Sequence, residues 1–110
     1  MDNTIQVLVS RTLHREDGSS VTVEIAAPVN RGEDFWETRW RITGLSDGDV
    51  ESASGGVDSM QSLLAALAMS GDRVAADSSL SFLEGPGTGL LHSGKREDGF
   101  YTAVLRMPTA

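Results

Sequence analysis

"GGVDSMQSLLAALAMSGDRVAADS", Gly55 to Ser78, is the stretch whose reading decides the fold. Met60, Leu63, Leu64, Leu67 and Val74 recur at three- to four-residue spacing, the period of a helix with one apolar side. Asp58, with Gln61 three residues later, has the form of a capping pair. Gly71 offers a stop, yet Val74 keeps the register of Leu67 seven residues earlier. The spacing therefore predicts one helix running to about Ala76, with Leu64 inward and Ser62 among the outward positions. Burying the five apolar side chains is worth on the order of 10 kcal/mol. Without such burial a helix this short is marginal in water.

The residues before the helix read as strands. Ile5, Val7, Val9 and Leu13 alternate, and so do Val21, Val23, Ile25 and Ala27. Between them lies "REDGSS". A two-residue Asp17-Gly18 loop would set Leu13 against Thr22 and Val9 against Ala26, on mismatched faces. A three-residue loop, Glu16-Asp17-Gly18, sets Leu13 against Val21 and Val9 against Ile25. The faces then agree, and Gly18 takes the left-handed position such loops need.

Pro28 to Asp34 reads as a loop. "FWETRWRIT" alternates again, with Trp36, Trp40 and Ile42 on one face and Glu37, Arg39 and Arg41 on the other. Val50 to Ala53 adds a short strand. After the helix, Leu80 to Leu83 reads as a short strand and "GPGTG", Gly85 to Gly89, as irregular chain. Leu90 to His92 and Phe100 to Met107 read as strands flanking "SGKREDG". The expectation is an α+β fold: an antiparallel sheet of four to six strands, with one long helix packed on one face, in a single domain spanning residues 1–110. The expected core is Val7, Val9, Val23, Ile25, Trp36, Trp40, Leu63, Leu64, Leu67 and Val104.

Composition narrows the function. The chain has 110 residues, no cysteine and a formal net charge of −7, and Lys95 is its only lysine beside eight arginines. Thiolate metal sites and cysteine nucleophiles are excluded. An acidic surface repels phosphate backbones and anionic lipid, so nucleic acid and membrane are not expected partners. With no basic-then-apolar start and no spanning segment, a cytoplasmic protein is expected.

"GVDSMQSLLAAL", Gly56 to Leu67, resembles the G-x-D-x-x-Q-x-L-x-x-A-L signature of a family of short, uncharacterised bacterial proteins, a domain of unknown function. "GFY", Gly99 to Tyr101, resembles a G-F motif near their C-terminus. The resemblance implies a few strands followed by this helix. It implies no activity.

The candidate sites are few. In "GTGLLHSGKRE", Gly87 to Glu97, the residues Gly89, Gly94 and Lys95 fit G-x-x-x-x-G-K. A phosphate loop also needs a helix after it and a hydroxyl after the lysine. Arg96 stands in the hydroxyl's place and a turn into a strand follows, so no nucleotide is expected. Gly55-Gly56 could cradle an anion at the helix start, but Asp58 brings its own carboxylate there. His14 and His92 read as isolated surface residues, and no G-x-S-x-G elbow anchors a hydrolase triad. No catalytic residue, cofactor or metal is expected. Arg39 and Arg41, with Arg11 on a neighbouring strand, form a possible positive patch for a carboxylate or phosphate of a partner. The plainer alternative is a solvated face on which Arg11, Glu24, Glu37, Arg39 and Arg41 pair across strands.

These readings favour a non-enzymatic protein-interaction module acting through an open sheet face or an edge strand, with a homo-oligomer possible. The alternative is a small-ligand-binding domain, with a pocket between helix and sheet or at the glycine-rich loop.

Overall fold

The computed structural model describes residues 5–82 and 85–106. Two hairpins lead. β1 (Val7–His14) turns back into β2 (Ser20–Ala26) with Leu13 opposite Val21 and Val9 opposite Ile25. This is the register that the three-residue loop requires, and Gly18 takes φ +90° within it. Arg15 and Ser19 close the loop through the Arg15 N–H to the Ser19 carbonyl. β3 (Val29–Gly32) then pairs with the start of β4 (Phe35–Thr43). The expected loop at Pro28 to Asp34 therefore contains a strand. Its signal was hidden because Val29 to Gly32 is fully exposed and shows no apolar alternation.

β4 organises the sheet. It pairs with β2 through Trp40 to Thr43, with β3 through Phe35 to Glu37, and along Trp36 to Ile42 with β5 (Val50–Gly56). All of these pairings are antiparallel. β6 (Ser81–Phe82) adds to β1 at His14, and β7 (Gly85–Pro86) adds to β6 through Gly85 opposite Phe82, so the expected irregular "GPGTG" begins in a short strand. Leu83, the end of the expected short strand there, lies outside the described residues. β8 (His92–Glu97) and β9 (Phe100–Val104) form a separate two-stranded sheet. Its tip is Asp98-Gly99, at φ +51° and +77°, the two-residue turn that favours an Asp-Gly pair. Both "REDG" segments are thus hairpin tips. Met107 falls outside the described residues.

α1 (Ser59–Ala75) lies on one face of the large sheet, as expected. Asp58 caps it, its carboxylate accepting from the Gln61 N–H at 2.7 Å, while the Gln61 side chain accepts from the Val57 N–H. The buried face is not the expected one. Ser62, Ala66, Ser70 and Val74, one turn apart, are buried, with Gly71 beside them. Ser62 is 0% exposed and shares a 2.9 Å hydrogen bond with the buried Thr38 hydroxyl of β4. Leu64 is 48% exposed and Met60 is 64% exposed.

The reason is distance of approach. A Cβ on Gly56 would lie 2.5 Å from the Ser62 nitrogen, so the end of β5 touches the helix backbone. Only small side chains fit along that line. Leu63 and Leu67 are displaced to the flanks, where they are partly buried against the core. On the helix's other side, a Cβ on Gly71 would overlap the Leu91 carbonyl, so the chain before β8 crosses it just as closely.

The core contains Leu13, Val21, Val23, Ile25, Trp40, Ile42, Leu45, Ala66, Val74 and Leu80. Trp40 keeps its indole N–H satisfied by Ser54 at 3.1 Å. Four expected members are exposed instead. Val7 and Val9 are exposed because the register breaks between them and the helix does not extend over that end of β1. Val104 is exposed on the separate hairpin, and Leu64 faces water for the reason above. Trp36 is half-buried. Among the described residues no helix is long and apolar enough to cross a membrane.

Candidate functional site

The arginine patch does not assemble. Arg39 and Arg41 share the outer sheet face with Glu24 and Glu51, opposite the helix. Arg41 meets the Glu24 carboxylate at 2.9 Å, and Arg39 pairs with Glu51. Arg31 adds a looser pair with Glu37 at 3.5 Å. Each positive charge is answered by a neighbour one strand away, so a ligand carboxylate would have to displace a resident one. Such half-exposed pairs are each worth about 0–1 kcal/mol. They order the face.

Arg11 points the other way. It stands opposite Val23, on the core side of the sheet. Its guanidinium stacks on the Phe82 ring at 3.8 Å and donates to the Gly89 carbonyl at 2.7 Å. A planar guanidinium suits both contacts at once. Arg11 therefore ties the segment after β7 onto β1. The only signal for this in the sequence is its odd position, in step with Val9 and Leu13.

The other candidates separate as well. Gly94 and Lys95 lie within β8, and a hairpin turn follows. Backbone N–H groups cannot converge on a phosphate there as they do at a helix N-terminus. Lys95 pairs with Glu97 at 2.7 Å. Gly55 and Gly56 end β5, and the helix start beside them is capped by Asp58. His14 is exposed at the end of β1, whereas His92 is half-buried with its Nδ1 3.2 Å from the Ser93 carbonyl oxygen. Among the described residues no three His, Asp or Glu side chains are grouped to hold a metal ion.

The shifted carboxyls are structural. Asp77 accepts from the Ser79 hydroxyl and N–H and meets Arg15 at 3.0 Å, which together hold it below the usual carboxylate range. Asp47 is lowered chiefly by its hydrogen bond from Arg73, and Asp17 by the Ser19 hydroxyl. All three sit in turns next to the groups that lower them. A shallow cleft at the β8–β9 tip is lined by Arg96 to Tyr101. Its lining residues are all exposed.

What remains open is backbone. Among the described residues, β6 pairs with β1 only at His14, so nothing pairs with the outer edge of β1 from Val9 to Leu13. Leu8 and Val9 are exposed at the start of that edge. The whole run from Ile5 to Arg15 holds no carboxylate, although the chain has sixteen acids. The opposite edge, β5, carries Glu51 and ends in two glycines. Each edge strand carries one formal charge, but glycine weakens a strand and β1 has none. Sequence reasoning allowed for an edge strand without naming β1. The acid-free run was the available signal.

An antiparallel sheet with one capped helix on one face defines the class: a small α+β domain. The chain belongs to the DUF6968 family, a domain of unknown function, which it matches over residues 9–90. No curated protein and no solved structure matches it.

Proposed function

We propose that the chain is a non-enzymatic protein-interaction module that takes an extended segment of a partner onto the outer edge of β1. The observation carrying this reading is that edge: unpaired from Val9 to Leu13 among the described residues, apolar at Leu8 and Val9, and free of acid in an acidic chain. Strand addition draws affinity from backbone hydrogen bonds and specificity from alternate side chains. Both are available from Val9 to Leu13. The arginines of the outer face are already paired, which favours the edge over the face. Bacterial origin and a cytoplasmic setting belong to the same reading; the likeness of Gly56 to Leu67 to short bacterial proteins supports the first.

The test is affinity capture from the native host with three baits: the wild type, Leu8→Lys/Val9→Lys, and Arg39→Gln/Arg41→Gln. A partner held by the edge is recovered by the first and third baits and lost by the second. Recovery by all three baits, or loss only with the arginine variant, would reject the edge.

A further inference from the structure

We infer that the chain forms a symmetric homodimer in which the β8–β9 hairpin of each copy covers the start of α1 on the other. The surface is distinct from the β1 edge. Every residue of the hairpin after His92 is exposed through Arg106, including Phe100 at 78%, Tyr101 and Leu105. A lone two-stranded ribbon is marginally stable in water unless something covers a face of it. The ribbon is tied to the body at its base, where the Ser93 N–H donates to Asp72 at 2.6 Å and Leu91 crosses Gly71.

The body carries a second uncovered patch. Met60 and Leu64, one helical turn apart, are exposed together with Val57 just before the cap. A second copy of the chain provides what both patches lack. In a two-fold pair each ribbon meets the other copy's helix, and the arrangement closes without leaving a free patch. Phe100 and Val104 share one face of the ribbon; with Val57, Met60 and Leu64 they leave roughly 500 Å² per copy open to water, so a pair removes roughly 1,000 Å², the size of a weak but specific interface.

Charge points to the same contact. Residues 92–106 hold Lys95, Arg96 and Arg106 against Glu97 and Asp98, a net of +1. The chain total is −7, so the remainder carries −7 − 1 = −8. Two such bodies repel each other across most of their surface. The ribbon is the element that an acidic body attracts.

Sedimentation velocity across the micromolar range tests this, using the wild type, Phe100→Lys, Leu64→Lys and Leu8→Lys. All three substituted positions are exposed, so circular dichroism should show each variant folded. The wild type and Leu8→Lys should sediment as dimers, and Phe100→Lys and Leu64→Lys as monomers. Mixing Phe100→Lys with Leu64→Lys should restore part of the dimer, because one ribbon–helix contact is intact in the mixed pair. A monomeric wild type overturns the inference. So does a dimer that survives both Phe100→Lys and Leu64→Lys, or one that only Leu8→Lys dissolves, which would place self-association on the β1 edge instead.

Discussion

Exchanging the character of two neighbouring helix positions, Ser62→Leu and Leu64→Ser, separates the two possible faces of α1. Apolar spacing makes Ser62→Leu harmless and Leu64→Ser costly. The packing reverses this. Ser62 is 0% exposed and its hydroxyl bonds Thr38 Oγ1 at 2.9 Å. Leucine there removes that partner, and a buried hydroxyl left unpaired costs about 1–3 kcal/mol. Overpacking adds about 1–3 kcal/mol, because Gly56 and β4 leave no room. The sum centres on about 4 kcal/mol.

Leu64 has about half of its surface in water, so Leu64→Ser forfeits about half of the roughly 1.5–3 kcal/mol of full burial. Lower helix propensity adds about 0.5 kcal/mol. At about 4 °C per kcal/mol for a chain of this size, thermal unfolding followed by circular dichroism should show Ser62→Leu lowering Tm by about 16 °C and Leu64→Ser by about 6 °C. A larger loss for Leu64→Ser would refute the small-residue face.

Three further outcomes follow from the same contacts. Arg39→Gln/Arg41→Gln should change stability by less than about 2 kcal/mol in urea unfolding, since two half-exposed pairs are worth about 0–1 kcal/mol each. Arg11→Ala should raise hydrogen exchange at Leu90 and Leu91 while leaving β4 and β5 unchanged, because Arg11 fastens the Thr88–Gly89 backbone to β1. Asp77 sits below its ordinary value near 3.8. Its contribution is therefore present above that value and is lost as pH falls through the carboxylate range. Asp77→Asn should flatten the decline of Tm between about pH 5 and pH 3, and an unchanged slope would mean that the Ser79 and Arg15 contacts do not persist in solution.

What the sequence made legible were the features set by local chemistry. Loop length and face parity together allowed one register for β1 and β2. Asp58 and Gln61 marked the helix start, and Val74 carried its register past Gly71. The misread features depend on how closely elements approach. Leucine spacing locates the apolar side of a helix in general. Here Gly56 brings the sheet so near that Ser62, Ala66 and Ser70 take the contact line. β3 was missed because its four residues are exposed on both faces. Arg11 was grouped with Arg39 and Arg41 by charge, although its parity with Val9 and Leu13 already put it on the core side. The hairpin's second strand was foreseen, but its first runs through Ser93 to Glu97, which read as the connection; its separation from the large sheet was not foreseen, and Val104 was counted into a core it does not reach.

The account turns on the β1 edge. Its most direct test is amide hydrogen exchange on the complex with the captured partner, read residue by residue. Strand addition protects the backbone groups it pairs, here those that no described residue of the free chain pairs. The account predicts new protection concentrated between Val9 and Leu13, with β5 and the outer-face residues Arg39 and Arg41 unchanged. Protection arising in β5, or confined to the arginine face, with β1 exchanging as in the free chain, would contradict it.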